Sequence, residues 1–185
     1  MIEQPLKFLV VEDLVSDTFL FQRMLKKVSK NPDVRFSDSI LSLQNALKTY
    51  IPDFIISDFN LTGFNAFDVI NTVKDINQNI PIIIISGKLG NDERVANLLM
   101  EGAAGFFNKD NFQELPEKII PVCEKILQEK KDTFDKLERE RKRESSLKEM
   151  ASFLRQYDLK ETTKERSLLQ ELKKNFSGLL NMDDK

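Results

Sequence analysis

The chain has 185 residues, 41% of them hydrophobic, and a formal net charge of −2; this is enough apolar content for a core and gives no electrostatic case for nucleic acid as a partner. It contains no histidine and a single cysteine, Cys123, which excludes serine-hydrolase triads, histidine-based metal sites, phosphotransfer from a histidine of this chain, disulfide frameworks and thiolate metal clusters. Residues 1–5 lack the basic and apolar stretches of a secretory signal, and no apolar run approaches the roughly 20 residues of a membrane span, so a cytoplasmic protein without membrane attachment is expected.

Residues 6–11 (LKFLVV) form a β-branched-rich run closed by Glu12 and Asp13, and predict a strand. Over 15–29 the apolar residues Phe19, Leu20, Met24, Leu25 and Val28 recur at helical spacing, and Asn31-Pro32-Asp33 marks a turn. A short second strand is expected over 34–37 and a helix over 41–50, which Pro52 stops. The third strand, 54–57, ends in Ser57 and is followed at once by Asp58. A loop over 60–65 then leads to an amphipathic helix carrying Phe67, Val69, Ile70, Val73 and Ile76. Residues 81–85 (PIIII) make the most apolar strand and run into Ser86. A helix over 91–100 is closed by Gly102, as glycine closes helices just past their last turn. A fifth strand over 104–107 precedes Lys109. Asn111 with Glu114 has the form of a capping box and opens a long helix.

Strands and helices alternate, and the strands are continuous apolar runs, the pattern of strands covered on both faces. The expected fold is therefore α/β: a doubly wound, five-stranded parallel sheet. In such a sheet every strand aims its C-terminal end at one rim, where ligands bind. Glu12, Asp13, Asp58, Ser86 and Lys109 all fall at that rim. Polar residues often end strands for solvation alone, but five in one ordered set point to a site. Carboxylates gathered so closely repel one another and need a cation; with oxygen ligands only, a hard ion such as Mg²⁺ is the natural one. A cation, a lysine and a hydroxyl are equipment for a phosphoryl group, and Asp58 can serve as the nucleophile, since carboxylates form acyl phosphates.

The segments VVED (10–13), SDFNL (57–61), IISG (84–87) and GFFNKD (105–110), in that order and at that spacing, resemble the receiver domains of two-component response regulators over roughly residues 5–128. The resemblance implies a flavodoxin-like receiver fold with Asp58 as phosphoacceptor. It implies that Glu12, Asp13, Asp58 and the backbone carbonyl of Asn60 hold Mg²⁺, that Lys109 pairs with the phosphoryl group, and that Ser86 and Phe106 report the state of the site as switch residues. The implied phosphodonor is a sensor histidine kinase or a phosphotransfer protein. Asn60 and Lys88 would flank the path of the hydrolytic water. The chain departs from the pattern at Thr62, where many receivers carry proline, at Ala66, where many carry glycine, and at Asp110, where proline usually follows the lysine.

A receiver over 1–128 leaves 129–185 as a helical extension. Cys123, Leu127, Phe134 and Leu137 fall near a heptad seam and predict a coiled-coil homodimer stalk; the alternative is a single solvated helix. Residues 138–144 (ERERKRE) read as a solvated charge run, after which Leu147, Met150, Ala151 and Leu154 restore apolar content. Thr162 with Glu165 forms a second capping box, opening an amphipathic helix with Leu168, Leu169, Leu172, Phe176, Leu179 and Leu180 on one face.

The expected function is a phosphorylation-controlled switch acting through these helices, not an enzyme with an output reaction of its own. Three other readings compete. Residues 175–185 loosely resemble the entry to diguanylate cyclase domains at Phe176, Ser177, Gly178, Leu179 and Asn181, with Met182 in place of an arginine, so the chain could be the regulatory part of a larger regulator with an enzymatic output. A Mg²⁺-dependent aspartyl-nucleophile phosphohydrolase would need a proton-exchanging acid at position 60, where Asn60 stands. A DNA-binding regulator would need a recognition helix and a basic face, and the mixed charges of 129–185 supply neither.

Overall fold

The computed structural model of the chain describes residues 1–87 and 92–157. Lys88 and the expected capping box and helix beyond residue 158 lie outside the described residues. So does the segment 175–185.

The main sheet has five strands, all parallel: β1 (Lys7–Val11), β2 (Asp33–Ser37), β3 (Phe54–Ser57), β6 (Ile82–Ser86) and β7 (Gly105–Asn108), in the order β2-β1-β3-β6-β7. This is the doubly wound α/β fold that the apolar runs predict. Between β3 and α3 (Ala66–Asn77), where a plain loop was expected, the chain forms a small antiparallel hairpin of β4 (Asn60–Leu61) and β5 (Phe64–Asn65). Gly63 at its tip has φ +85, a conformation glycine adopts without strain.

Side chains alternate between the two faces of the sheet and build two cores. On one face Leu9, Val11, Ile55, Ile82 and Ile84 pack with α2 (Ile40–Thr49), α3 (Ala66–Asn77) and Leu98 of α4 (Asp92–Met100). On the other, Phe8, Val10, Phe54, Ile56, Ile83 and Ile85 pack with α1 (Val15–Val28) and α5 (Leu115–Glu129). Both faces are covered, and this is why the strands carry unbroken apolar sequence.

Helix ends differ in detail from the sequence reading. Gly102 closes α4 as expected, with φ +94 and its N–H on the Leu99 carbonyl. The pattern of Asn111 and Glu114 does not form a capping box. Asn108 instead caps a 3₁₀ turn, accepting from the Asp110 N–H, and α5 starts at Leu115 without a side-chain cap. The capping box is at α3: Asn65 accepts from Phe67 N–H, and Asp68 accepts from Asn65 N–H. In α1 the buried stripe is Phe21, Met24, Leu25 and Val28, while Phe19 and Leu20, read as part of the apolar face, are exposed.

The largest difference is at the end of the domain. The helix after β7 does not run on. α5 ends at Glu129, Lys130 leaves helical geometry (φ −111, ψ 28), and α6 (Lys131–Tyr157) begins anew. Cys123 is fully buried in the core of the α1/α5 face, where Leu127 also packs, and burial pushes its thiol up to about 12. Leu137, 2% exposed, joins the core on the other face. Three side chains read as a seam for a second chain are thus used inside this one.

The chain divides into two compact units, Met1–Leu137 and Glu138–Lys185. In the second, described to Tyr157, charged residues pair one helical turn apart: Glu138 with Lys142 and Glu144 with Lys148, each at 2.8 Å. No helix among the described residues is long and apolar enough to cross a membrane.

Candidate functional site

The parallel register brings the strand ends to a common level. Val11 pairs with both Ser37 and Ser57, Ser57 with Ile84, and Ser86 with Asn108. Glu12, Asp58 and Lys109 each follow one of these strand ends by one residue, so they start from neighbouring points on one rim. Backbone bonds hold the exits: Glu12 N–H on the Ser37 carbonyl (2.9 Å) and Asp58 N–H on the Val11 carbonyl (3.1 Å). The Ser57 hydroxyl donates to the Asp58 carbonyl at 2.7 Å.

At the centre is the Lys109 ammonium. It donates to Glu12 Oε2 (2.9 Å), Asp58 Oδ2 (2.9 Å) and Asp17 Oδ2 (3.0 Å), and an ammonium has only three hydrogens to give. Burial works against its charge, but the bonds to Asp58, Glu12 and Asp17 outweigh that and raise its pKa above the ordinary 10.5. The Phe21 ring lies 5.2 Å from the ammonium and adds a cation–π contact. Glu12 is almost fully buried; burial raises its pKa, against bonds from Lys109 and from the Leu14 N–H. The second oxygen of Asp58, Oδ1, accepts the Phe59 N–H at 2.6 Å.

Asp13 is not one of the three Lys109 partners. Its Oδ2 accepts from both the N–H (3.1 Å) and the hydroxyl (2.5 Å) of Thr62, and the bond from the Thr62 hydroxyl leads in lowering its pKa. Thr62, noted in the sequence only as a departure from proline, thus ties the hairpin tip to the end of β1. Ser86 Oγ is buried and has no hydrogen-bond partner among the described residues. Phe106, on β7, is half-buried against the core of the α2/α3 face. Asn60 is exposed at the start of β4.

The structure therefore brings together Glu12, Asp58 and Lys109 as the sequence suggests, ties Asp13 to Thr62, and adds Asp17. The signal for Asp17 was its place in the first turn of α1, the helix that follows the end of β1, which carries a further carboxylate to the same rim.

The donors fit a hard divalent cation in chemistry, because all of them are oxygens. Yet among the described residues no three acidic, histidine or cysteine side chains are grouped to hold a metal ion as they stand. The positive charge that the carboxylates need is supplied by Lys109.

Residues 8–120 match the family profile described as the response regulator receiver domain. The chain belongs to this family. The receiver also resembles solved structures in fold. It is similar to the response regulator domain of Thermotoga maritima CheB (TM-score 0.58, 16% identity, covering 68% of this chain and 98% of that one). A response regulator receiver domain protein from Clostridium thermocellum is similar too (TM-score 0.57, 20% identity, 68% and 97% covered). So is the Mn²⁺-bound form of response regulator Rcp1 (TM-score 0.52, 22% identity, 64% and 91% covered). Receivers are signalling domains of two-component systems, phosphorylated by histidine kinases or phosphotransfer proteins. The match places this receiver in that class.

Proposed function

We propose that this receiver is a phosphorylation switch in which Asp58 is the phosphoacceptor. The observation that carries the reading is the meeting of Asp58, Glu12 and Lys109 within 2.9 Å contacts at one rim, together with a buried Ser86 hydroxyl that has no hydrogen-bond partner among the described residues.

In the transfer, an Asp58 carboxylate oxygen attacks phosphorus. The P–N bond of a donor phosphohistidine, or the P–O bond of acetyl phosphate, breaks as the O–P bond to Asp58 forms, and the leaving group takes the bonding electron pair. The Phe59 N–H holds Asp58 Oδ1, which leaves Oδ2, now bonded to Lys109, as the oxygen that must be released. Lys109 keeps its charge, in keeping with its raised pKa, and would pair with the phosphoryl oxygens. Ser86 would donate its unused hydrogen bond to one of them, with Phe106 on the adjacent strand as the aromatic that follows its movement.

Glu12, Asp13 and Asp58, with the Asn60 backbone carbonyl, are the residues that would hold Mg²⁺, and the Mn²⁺-bound form of a similar regulator supports a divalent ion here. A bound ion supplies charge neutralisation for the phosphoryl oxygens. Asp13 would offer Oδ1, or release Oδ2 from Thr62. The phosphodonor is a sensor histidine kinase or phosphotransfer protein, and the output is a change in homodimerisation or partner binding through residues beyond 137.

The test is phosphate incorporation from acetyl phosphate in Mg²⁺. Asp58→Asn is expected to abolish it, and persistent labelling of that variant refutes the nucleophile. Size-exclusion elution of the labelled wild-type chain reads the output: an unchanged elution volume rules out a dimerisation switch.

A further inference from the structure

We infer that Asp17 is a positioning residue for Lys109: it is the partner that keeps the ammonium anchored at the rim when Glu12 and Asp58 turn to a divalent cation. The inference rests on the reading of Glu12 and Asp58 as cation ligands.

Lys109 spends its three hydrogens on Glu12, Asp58 and Asp17. The first two acceptors belong to the set assigned to the ion. Asp17 does not. A lysine ammonium bonded to the same oxygens as an incoming divalent cation opposes it directly, since like charges a few ångströms apart in a partly buried site repel strongly. Lys109 is bonded at 2.9 Å to both of these proposed ion ligands. It must therefore give up Glu12 and Asp58 while remaining charged, and a half-buried ammonium without a partner is costly.

Asp17 is built to receive it. Its backbone lies in the first turn of α1, a helix fixed to the sheet by Phe21, Met24, Leu25 and Val28. Its Oδ1 accepts from the Ser16 hydroxyl at 3.2 Å, which leaves Oδ2 for the ammonium. The Asp17 side chain is 24% exposed where that of Glu12 is 0% exposed, so the ammonium would end nearer to water. The Phe21 ring, one turn further along α1, faces the same ammonium. Helix α1 thus offers Lys109 a carboxylate and an aromatic face, both outside the proposed ion's ligand set.

The test is a double-mutant cycle on Mg²⁺ affinity, measured by isothermal titration calorimetry on the full chain as wild type, Asp17→Asn, Lys109→Met and the double variant. Asp17→Asn is expected to weaken Mg²⁺ binding by about fivefold or more when Lys109 is present, and by less than about twofold in the Lys109→Met background. An equal loss in both backgrounds would mean that Asp17 acts only through its own charge on the ion, and would overturn the inference. So would an unchanged affinity in Asp17→Asn alone. Nitrogen-15 NMR of the Mg²⁺-saturated wild-type chain needs no substitution: the Lys109 ammonium is expected to exchange its protons slowly with water, and rapid exchange overturns the anchor. If the wild-type chain binds no Mg²⁺, the cation site itself falls; if it binds Mg²⁺ and the cycle is additive, only the role of Asp17 falls.

Discussion

Lys109 is the residue on which the resting rim depends. Its side chain is 16% exposed and is shared among three carboxylates. Removing one partner of a buried ionic cluster leaves the others facing each other without compensation, so Lys109→Met should lower the stability of the metal-free protein by about 2–4 kcal/mol, read from urea unfolding. The pH dependence follows from the direction of its shift. A lysine whose folded pKa lies above the ordinary 10.5 contributes stability that is fully present below that value and is lost as pH rises through the folded one. The difference between wild type and Lys109→Met should hold steady from about pH 7 to about pH 9 and shrink only in strong alkali; a difference that collapses near neutrality would contradict the ionic account. Of this cluster, Glu12, Asp58 and Lys109 were legible in the sequence because each follows an apolar strand, and parallel strands bring their ends to one level. Asp17 and Thr62 were not. The place of Asp17 depends on how α1 lies across the sheet, and that of Thr62 on a hairpin where only a loop was expected.

At the scale of single elements, similar local patterns came to different ends. Residues 65–68 (NAFD) and 111–114 (NFQE) both set asparagine three places before an acid. The first is a capping box on α3. The second is pre-empted by the 3₁₀ turn that Asn108 caps just after β7. A short polar side chain caps whichever N–H groups the chain geometry leaves open, and that geometry is set by the strand before it. Asn65→Ala is therefore expected to cost about 1 kcal/mol, while Asn111→Ala should be close to neutral; thermal unfolding of the two variants side by side separates them. The Asn65 cap matters to the site as well, because β5 and the start of α3 close the loop that follows Asp58, with the Ala66 N–H on the Phe59 carbonyl at 3.1 Å.

For the whole molecule, the five-stranded parallel sheet, its two covered faces and the common rim could be anticipated, whereas the course of the chain after α5 could not. The spacing that marks a heptad seam, 3.5 residues, is almost the spacing of an ordinary buried helix face, 3.6. Over a stretch as short as 123–137 the two cannot be told apart. Cys123 and Leu127 lie on the core face of α5, and Leu137 reaches the core from α6 after the interruption at Lys130. Leu137→Ala should then behave as a core truncation, costing about 2–5 kcal/mol in the monomer at any protein concentration; a loss that disappears on dilution would return Leu137 to a contact between chains. The burial of Leu137 also bears on how the receiver can be studied apart from the rest. A fragment trimmed at residue 128 would lack Leu137, a side chain buried in one of its two cores. Such a fragment is expected to be less stable than the chain that keeps Leu137.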